Sequence, residues 1–362
     1  MTALSGTPRE VRIAGAGVAG LAAALVLSRA GVRVTVDERA AAQSSTGTVF
    51  GLAGSAQQAL ERCGVLERIR EVAVEQRSGA LRAADGRVLI AAELPQPVLL
   101  VARPDLQNVL ADDLPAGTVN YGRAGMVPTD LGSEDVLIGA DGTFSATREH
   151  LFGPETVPRP VGTTVWRGTV DAFSSSSADD GTLYGETWGR GALFGITPRF
   201  DGRLNFFGAA RAAAGTTTVD DFFTRFADWH SDVRAVLDRV DRDAILHHDL
   251  FQSPPLSRFT SGRVALVGDA AHTMTPHLGR GAGEALVDAV ALAELLVELP
   301  VDEALARYDR IRRRHGLRMV RASATVGALA LADHGASVRD GLLTLVGRAM
   351  KHPGASPAVR RP

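Results

Sequence analysis

The sequence predicts an α/β fold: a Rossmann-like domain, interrupted by an inserted, mostly antiparallel β-sheet and completed by C-terminal helices. Three observations predict it. Gly15-Ala16-Gly17-Val18-Ala19-Gly20 stands between a β-rich run and an apolar helix. The middle of the chain is a succession of short strand patterns. Residues 263–283, RVALVGDAAHTMTPHLGRGAG, then return to a buried strand, a Gly/Pro-rich loop and a helix start.

The elements follow in order. Residues 10–14 form a strand, and 15–20 turn it into an apolar helix ending near Gly31. Val32, Val34 and Val36 alternate as the second strand. In this βαβ unit Gly15 permits the tight turn, Gly17 admits a pyrophosphate to the backbone, and Gly20 allows close helix packing. Val18 and Ala19 open the helix whose N-terminus meets the phosphates. Strand parity continues to Glu38, where an acid binds an adenosine ribose and favours a free hydroxyl over a 2′-phosphate. Asp37 points to the other face.

A helix at 55–63 ends at Gly64, followed by a polar helical stretch to about residue 76. Residues 79–94 read as a hairpin turning at Asp85-Gly86. Residues 103–110 read as a helix with Pro104 in its first turn. An apolar strand at 135–140 runs into Asp141-Gly142. Strands follow at 163–170, 181–188, 192–197 and 203–209, then helices at 219–229 and 233–240. Strand 264–267 opens into Gly268-Asp269, a helix starts near Gly281, and helices at 301–321 and 325–348 close the chain. The nucleotide domain is expected at 1–75, 98–160 and 258–350, and the inserted domain at 76–97 and 161–257. A mobile loop is expected at 174–181 and a frayed tail at 351–362.

A short acid at a strand's C-terminal end grips hydroxyls, and the next helix N-terminus attracts an anion. Asp269 and Gly281 offer that pair far from the first Gly motif in the chain. Two such sites suit a long ligand held along its length, FAD rather than NAD.

The net charge of −2, with 45% hydrophobic and 22% charged residues, is that of an ordinary globular protein without a nucleic-acid partner. The basic run at 310–314 reads as a solvated helix face. Cys63 is the only cysteine, which excludes an intrachain disulfide and a cysteine metal site. The first ten residues lack a signal-peptide layout, and the apolar helices at 18–30 and 285–299 are too short or too charged to span a bilayer. A cytoplasmic monomer or homodimer acting on a small molecule, without a membrane partner, is expected. His247 and His248 face opposite sides of a strand and share no metal. His230 reads as a surface residue ending the helix at Trp229.

Further motifs accompany these: Glu38-Arg39, Arg103-Pro104-Asp105-Leu106, Asp141-Gly142-Thr143-Phe144-Ser145-Ala146-Thr147-Arg148 and Val165-Trp166-Arg167-Gly168. Glu186-Thr187-Trp188-Gly189-Arg190-Gly191 and Gly268-Asp269-Ala270-Ala271-His272 complete the order. Over nearly its whole length the chain resembles the FAD-dependent, single-component aromatic hydroxylases and epoxidases of the para-hydroxybenzoate hydroxylase-like fold. It looks nearest to salicylate hydroxylase-like and zeaxanthin epoxidase-like members. The resemblance implies FAD as cofactor, NADPH or NADH as transient reductant and O2 as co-substrate. A hydroperoxide at flavin C4a would pass one oxygen atom to a small aromatic, polycyclic or alkene substrate.

The resemblance also implies site residues. Asp269 would bind a ribityl hydroxyl, and Arg103 would lie near the pyrophosphate or ribityl chain, with Arg39 beside Glu38 at the adenosine end. Asp141, Gly142 and Arg148 would support the pyrophosphate and transient NAD(P)H. Pro276, Gly279, Gly281 and Ala282 would run beside the isoalloxazine, whose negative charge on reduction the Gly281 helix would stabilise. The inserted sheet would supply Trp166, Arg167, Trp188 and Arg190 to the substrate. Trp166 and Trp188 read equally as core aromatics, and Arg167 as a structural ion pair.

Three departures stand out. His277 and Arg280 replace the Asn and Gln of Pro-Asn-Leu-Gly-Gln-Gly, Gly283 lies where an Asn often stands, and Val287-Asp288-Ala289 replaces Glu-Asp-Ala. Arg280 would raise the flavin potential or pair with an acid behind it. His277 is either a group acting on the ring or a tolerated loop residue. The stretch between Arg103 and Asp141 is also short. These departures keep two alternatives open: an oxygen-independent flavin reductase or desaturase, and a redox-silent FAD-containing cyclase or isomerase.

Overall fold

The computed structural model describes residues 8, 10–43, 47–123, 135–175 and 183–351. The chain divides into two compact units, Met1–Glu75, Val98–Val161 and Asp249–Gly327 in one, Gln76–Pro97, Gly162–His248 and Ala328–Pro362 in the other.

The first unit is built on a six-stranded sheet. Its neighbours run in the order Thr260–Ser261, Val264–Leu266, Val136–Gly139, Glu10–Ala14, Arg33–Glu38 and Val119–Tyr121. All but the Thr260–Ser261 edge pair in parallel. Parallel strands covered on both faces require near-continuous apolar runs. Val136, Leu137 and Ile138 are accordingly all fully buried. The Val18–Arg29 helix is apolar nearly all round and packs against the Gly281–Glu298 helix. Gly20 makes the tight helix–turn approach possible, because a Cβ there would stand 1.9 Å from the Gly15 carbonyl oxygen. Gly15 itself has φ +102°, which an L side chain rarely adopts.

The second unit is mostly antiparallel. Arg159–Val170, Leu204–Arg211, Ala192–Pro198 and Gly185–Trp188 pair in that order, and Ala73–Ala83 joins Gly185–Trp188 in parallel. Strand alternation puts Trp166, Phe194 and Phe206 on one face. There they meet Phe222 and Phe226 of the Val219–Phe226 helix and Val233 and Val236 of the Ser231–Leu237 helix.

The C-terminal region departs from expectation. Residues 328–350 group with the second unit rather than the nucleotide domain. Arg339 of the Ala336–Lys351 helix explains this, donating to the carbonyls of Gly189 and Ala330 and lying 5.5 Å from the Trp188 ring centre. The break expected at 322–324 falls instead at 331–335, and Arg314–Ala330 is one helix. A π turn at Asp309–Arg313 interrupts the helix expected at 301–321. The polar helix expected to reach residue 76 ends at Arg70, and a strand begins at Ala73. The expected loop at 174–181 and tail at 351–362 lie mostly outside the described residues. No helix among the described residues is long and apolar enough to cross a membrane.

Candidate cofactor site and active site

The parallel sheet gathers the predicted motifs at its carboxyl edge, where open α/β sheets bind ligands. Glu10–Ala14 ends in the Gly motif, Arg33–Glu38 in Glu38, Val136–Gly139 in Asp141-Gly142, and Val264–Leu266 in Gly268-Asp269. Glu38 accepts the Ala16 and Ala40 N–H groups, both at 2.8 Å, one on each carboxylate oxygen. Each oxygen keeps a lone pair for a ligand hydroxyl. Asp37 instead accepts from Asn120. Arg39 and Arg103 are exposed, and the Arg103 charge bears on Asp269.

Three features leave room for an anionic ligand. A Cβ at Gly17 would meet nothing within 4 Å, so the protein itself does not demand glycine there. The Val18–Arg29 helix starts without a side-chain cap or an acid in its first turn. The Gly281–Glu298 helix is likewise uncapped, and Gly281 faces open space. Such bare N–H groups carry partial positive charge. Buried Gln107 adds an orphan: its Nε2 donates to the Ala16 carbonyl, while its Oε1 has no partner among the described residues.

Asp141 and Arg148 serve the scaffold. The Asp141 carboxylate accepts from Ser145 Oγ and from Thr147 N and Oγ1, closing the turn into the Ala146–Phe152 helix. Arg148 is 1% exposed and donates to the carbonyls of Thr143, Asp269 and Ala270. It thus ties the Asp-Gly turn to the Asp269–His272 helix. Burial pushes the Asp269 carboxyl above its usual range, against the charges of His272, Arg103 and Arg148.

Behind the 276–281 loop lies a buried ionic network. His272 Nε2 donates to Asp288 at 2.5 Å, and the Gly268 N–H also donates to Asp288. Arg312 donates to both Asp288 and Glu284. Glu284 further pairs with His315 and Arg280, and Arg280 reaches Ser55 Oγ at 2.9 Å. Arg280 is therefore paired with an acid. Burial alone would lower the His272 pKa, but the Asp288 carboxylate holds it above the ordinary value. Burial would raise Asp288, but His272 and Arg312 hold it below. The 310–314 run was expected to be solvated, yet Arg312 is 8% exposed while Ile311 is 46% exposed. Arg312 lies four residues beyond buried Tyr308, on the same helix face, within the π turn.

Pro276 and Gly279 are exposed, Ala282 is half-buried, and Val18 and Ala19 are buried in the helix. His277 sits over Gly327, where a Cβ would approach its Nδ1 to 2.5 Å. Both ring nitrogens are buried without a partner among the described residues, and burial lowers the pKa from 6.5 to about 4. The folded protein then binds fewer protons than the unfolded chain between those values. Stability should fall as pH drops from 6.5 to about 4, with no such change above 6.5. His277→Gln is expected to flatten that fall in the urea midpoint. An unchanged slope would contradict the assignment.

In the second unit Trp166 takes its core reading: it is 1% exposed, donates Nε1–H to the Thr218 carbonyl and stacks on His247 at 5.2 Å. Arg167, one residue on, faces the opposite side of the sheet and makes no ion pair with a described residue; burial lowers its pKa. Trp188 is 7% exposed between Glu186 and Arg339, and Arg190 is exposed. His247 bonds Thr164 and Thr217, and no metal-holding cluster occurs among the described residues. His230 is not a surface residue. Its side chain is 8% exposed, opens the Ser231–Leu237 helix, bonds Thr187 and lies beside the buried Arg82–Asp232 pair. The sequence offered no signal for that pair, whose members lie far apart in the chain.

A family model described as "FAD binding domain" matches residues 9–124 and 133–323. The chain belongs to this family. It is an FAD-dependent monooxygenase of the aromatic-hydroxylase type. Aurachin C monooxygenase/isomerase of Stigmatella aurantiaca is 33% identical over 348 residues, covering 89% of this chain and 90% of its own. The 2-heptyl-3-hydroxy-4(1H)-quinolone synthase of Pseudomonas aeruginosa is 30% identical over 334 residues, covering 83% and 84%. A salicylate hydroxylase solved with its substrate superposes with a TM-score of 0.79 at 25% identity, covering 95% of this chain and 94% of that one.

The residues present fit FAD. Gly17 leaves the cradle a pyrophosphate needs, the Val18–Arg29 helix offers bare N–H groups, and Glu38 retains acceptor capacity for a ribose. Gln107 Oε1 is an acceptor waiting for a ligand donor, and it had escaped the sequence reading, which stopped at Arg103 to Leu106. Asp269, half-buried and with its carboxyl raised by desolvation, gains from a ribityl hydroxyl.

Proposed function

We propose that this flavoprotein uses NADH or NADPH and O2 to hydroxylate or epoxidise a small aromatic, polycyclic or alkene substrate. The observation that carries the reading is the uncapped start of the Gly281–Glu298 helix, directly after the loop bearing Pro276, His277 and Gly279. Bound FAD supplies hydride acceptance and oxygen activation. The amides of Gly281, Ala282 and Gly283 would stabilise negative charge without reorganising, because they are already oriented. Arg280 positions that turn through Glu284 and Ser55. His277, neutral above about pH 4, can offer a hydrogen bond without adding charge. Asp141 and Arg148 shape the turn next to Asp269, and Arg167 would hold a substrate oxygen. Arg167 stands on the face of its sheet opposite the packed aromatic core.

Anaerobic mixing of the FAD-loaded protein with NADH or NADPH tests this. The flavin should bleach with one of them and recover its colour on admitting O2. A flavin that neither reductant bleaches, with candidate aromatics present, would overturn it. The relative named both monooxygenase and isomerase favours a second reading, in which the product leaves with unchanged mass. Substrate conversion without oxygen uptake would select that reading.

A further inference from the structure

Four neighbouring strands of the second unit set Arg167, Phe207, Gly195 and Glu186 in one row. Arg167 opposes Phe207, Phe207 opposes Gly195, and Gly195 opposes Glu186. Directly opposed residues share a face. This face is the one turned away from the Trp166–Phe194–Phe206 core. The Phe207 ring lies over Gly195, since a Cβ there would come within 2.1 Å of it. The ring forms a floor between a guanidinium and a carboxyl whose Cα atoms stand three strand spacings, about 14 Å, apart.

Neither end of the row is fully satisfied by the described residues. The Arg167 side chain has no hydrogen bond or ion pair to a described residue. Glu186 takes the Trp188 indole N–H at 2.7 Å on one oxygen, and no cation bears on it. Burial raises its pKa, against that single bond. Both side chains are half-buried, and each keeps hydrogen-bonding capacity for a ligand.

We propose that the row clamps a flat heteroaromatic substrate at both ends, with a carbonyl or phenolate oxygen on Arg167, a ring N–H or O–H on Glu186, and the ring system on Phe207. The proposal rests on the reading of Arg167 as a substrate-holding residue. The matching chemical class is the vinylogous amides and acids, such as a 4(1H)-quinolone. Their oxygen and N–H lie at opposite ends of one ring, and the carbon next to the carbonyl is electron-rich. A benzoate would satisfy Arg167 but leave Glu186 with the Trp188 donor alone. Glu186 is thus a specificity-determining residue.

Calorimetric titration of the FAD-loaded protein with 4(1H)-quinolone, its N-methyl derivative and 1,2,3,4-tetrahydroquinoline, which keeps the N–H and lacks the oxygen, tests the clamp. Each analogue lacks one anchor and should bind roughly tenfold or more weakly than the parent, the worth of one hydrogen bond to a charged group. Glu186→Gln keeps an acceptor for Trp188 and should erase the preference over the N-methyl derivative alone. Arg167→Met should erase the preference over 1,2,3,4-tetrahydroquinoline alone. Equal affinities for the three compounds in the unmodified protein would overturn the clamp, as would variants that weaken all three alike. No quinolone binding by a protein whose flavin NAD(P)H bleaches overturns the clamp and leaves the monooxygenase reading intact. Selective binding with a flavin that never bleaches does the reverse.

Discussion

Gly17→Ala is expected to strip FAD from the protein while leaving the fold unchanged. The added methyl meets no protein atom within 4 Å, and φ −73° at this position suits any residue. It occupies the cradle in front of the Val18–Arg29 helix. Losing two charge-assisted bonds at about 1.5–3 kcal/mol each would weaken FAD binding by roughly a hundredfold or more. Flavin content after purification and the melting temperature of the apo-protein check the two halves. Full FAD retention would mean that the pyrophosphate lies elsewhere. Gly20→Ala should act differently and destabilise the apo-protein as well, because its methyl strikes the Gly15 carbonyl.

Asp288→Asn should be the most destabilising single change of one polar atom. Asp288 is fully buried and accepts from His272, Arg312 and the Gly268 N–H. Removing its charge leaves a buried guanidinium and imidazolium facing each other, a loss of about 3–5 kcal/mol. Arg310→Ala, on an exposed neighbour in the same basic run, should stay within about 0.5 kcal/mol. Urea unfolding measures both. Equal effects would show that the network does not hold this part of the fold. The signs of its pH dependence also follow. Asp288 and Glu284, held low, contribute stability above the ordinary carboxylate range and lose it as pH falls through their lowered values. His272, held high, contributes fully below pH 6.5 and loses it as pH rises through its raised value.

The features legible in the sequence were those fixed by local backbone. The Gly15, Gly17 and Gly20 spacing, the parity that carries Val36 to Glu38, and the strand ending at Gly268-Asp269 each depend on a few consecutive residues. Parity also separates Trp166 from Arg167, although both stood as substrate candidates until the helices covering one face were known. What stayed hidden depends on distant partners. Arg312 pairs inward with Asp288 and Glu284 of another helix, and the His230 side chain is covered where Arg82 and Asp232 meet beside it. The Arg148 charge pointed to a ligand, while its three carbonyl partners, from two segments, showed only in the folded chain. The C-terminal helix could not be assigned to a unit without the Arg339 contacts.

The central claim is that this chain binds FAD at the carboxyl edge of its parallel sheet and uses it to place one oxygen atom from O2 on a small molecule. Its most direct test is turnover of the FAD-loaded protein with NADPH or NADH under 18O2, with 4(1H)-quinolone and hydroxylated aromatics as substrates. The account predicts a product heavier by one 18O atom under 18O2, and an unlabelled oxygen when only the water carries 18O. A product of unchanged mass, or one labelled from water, would contradict it.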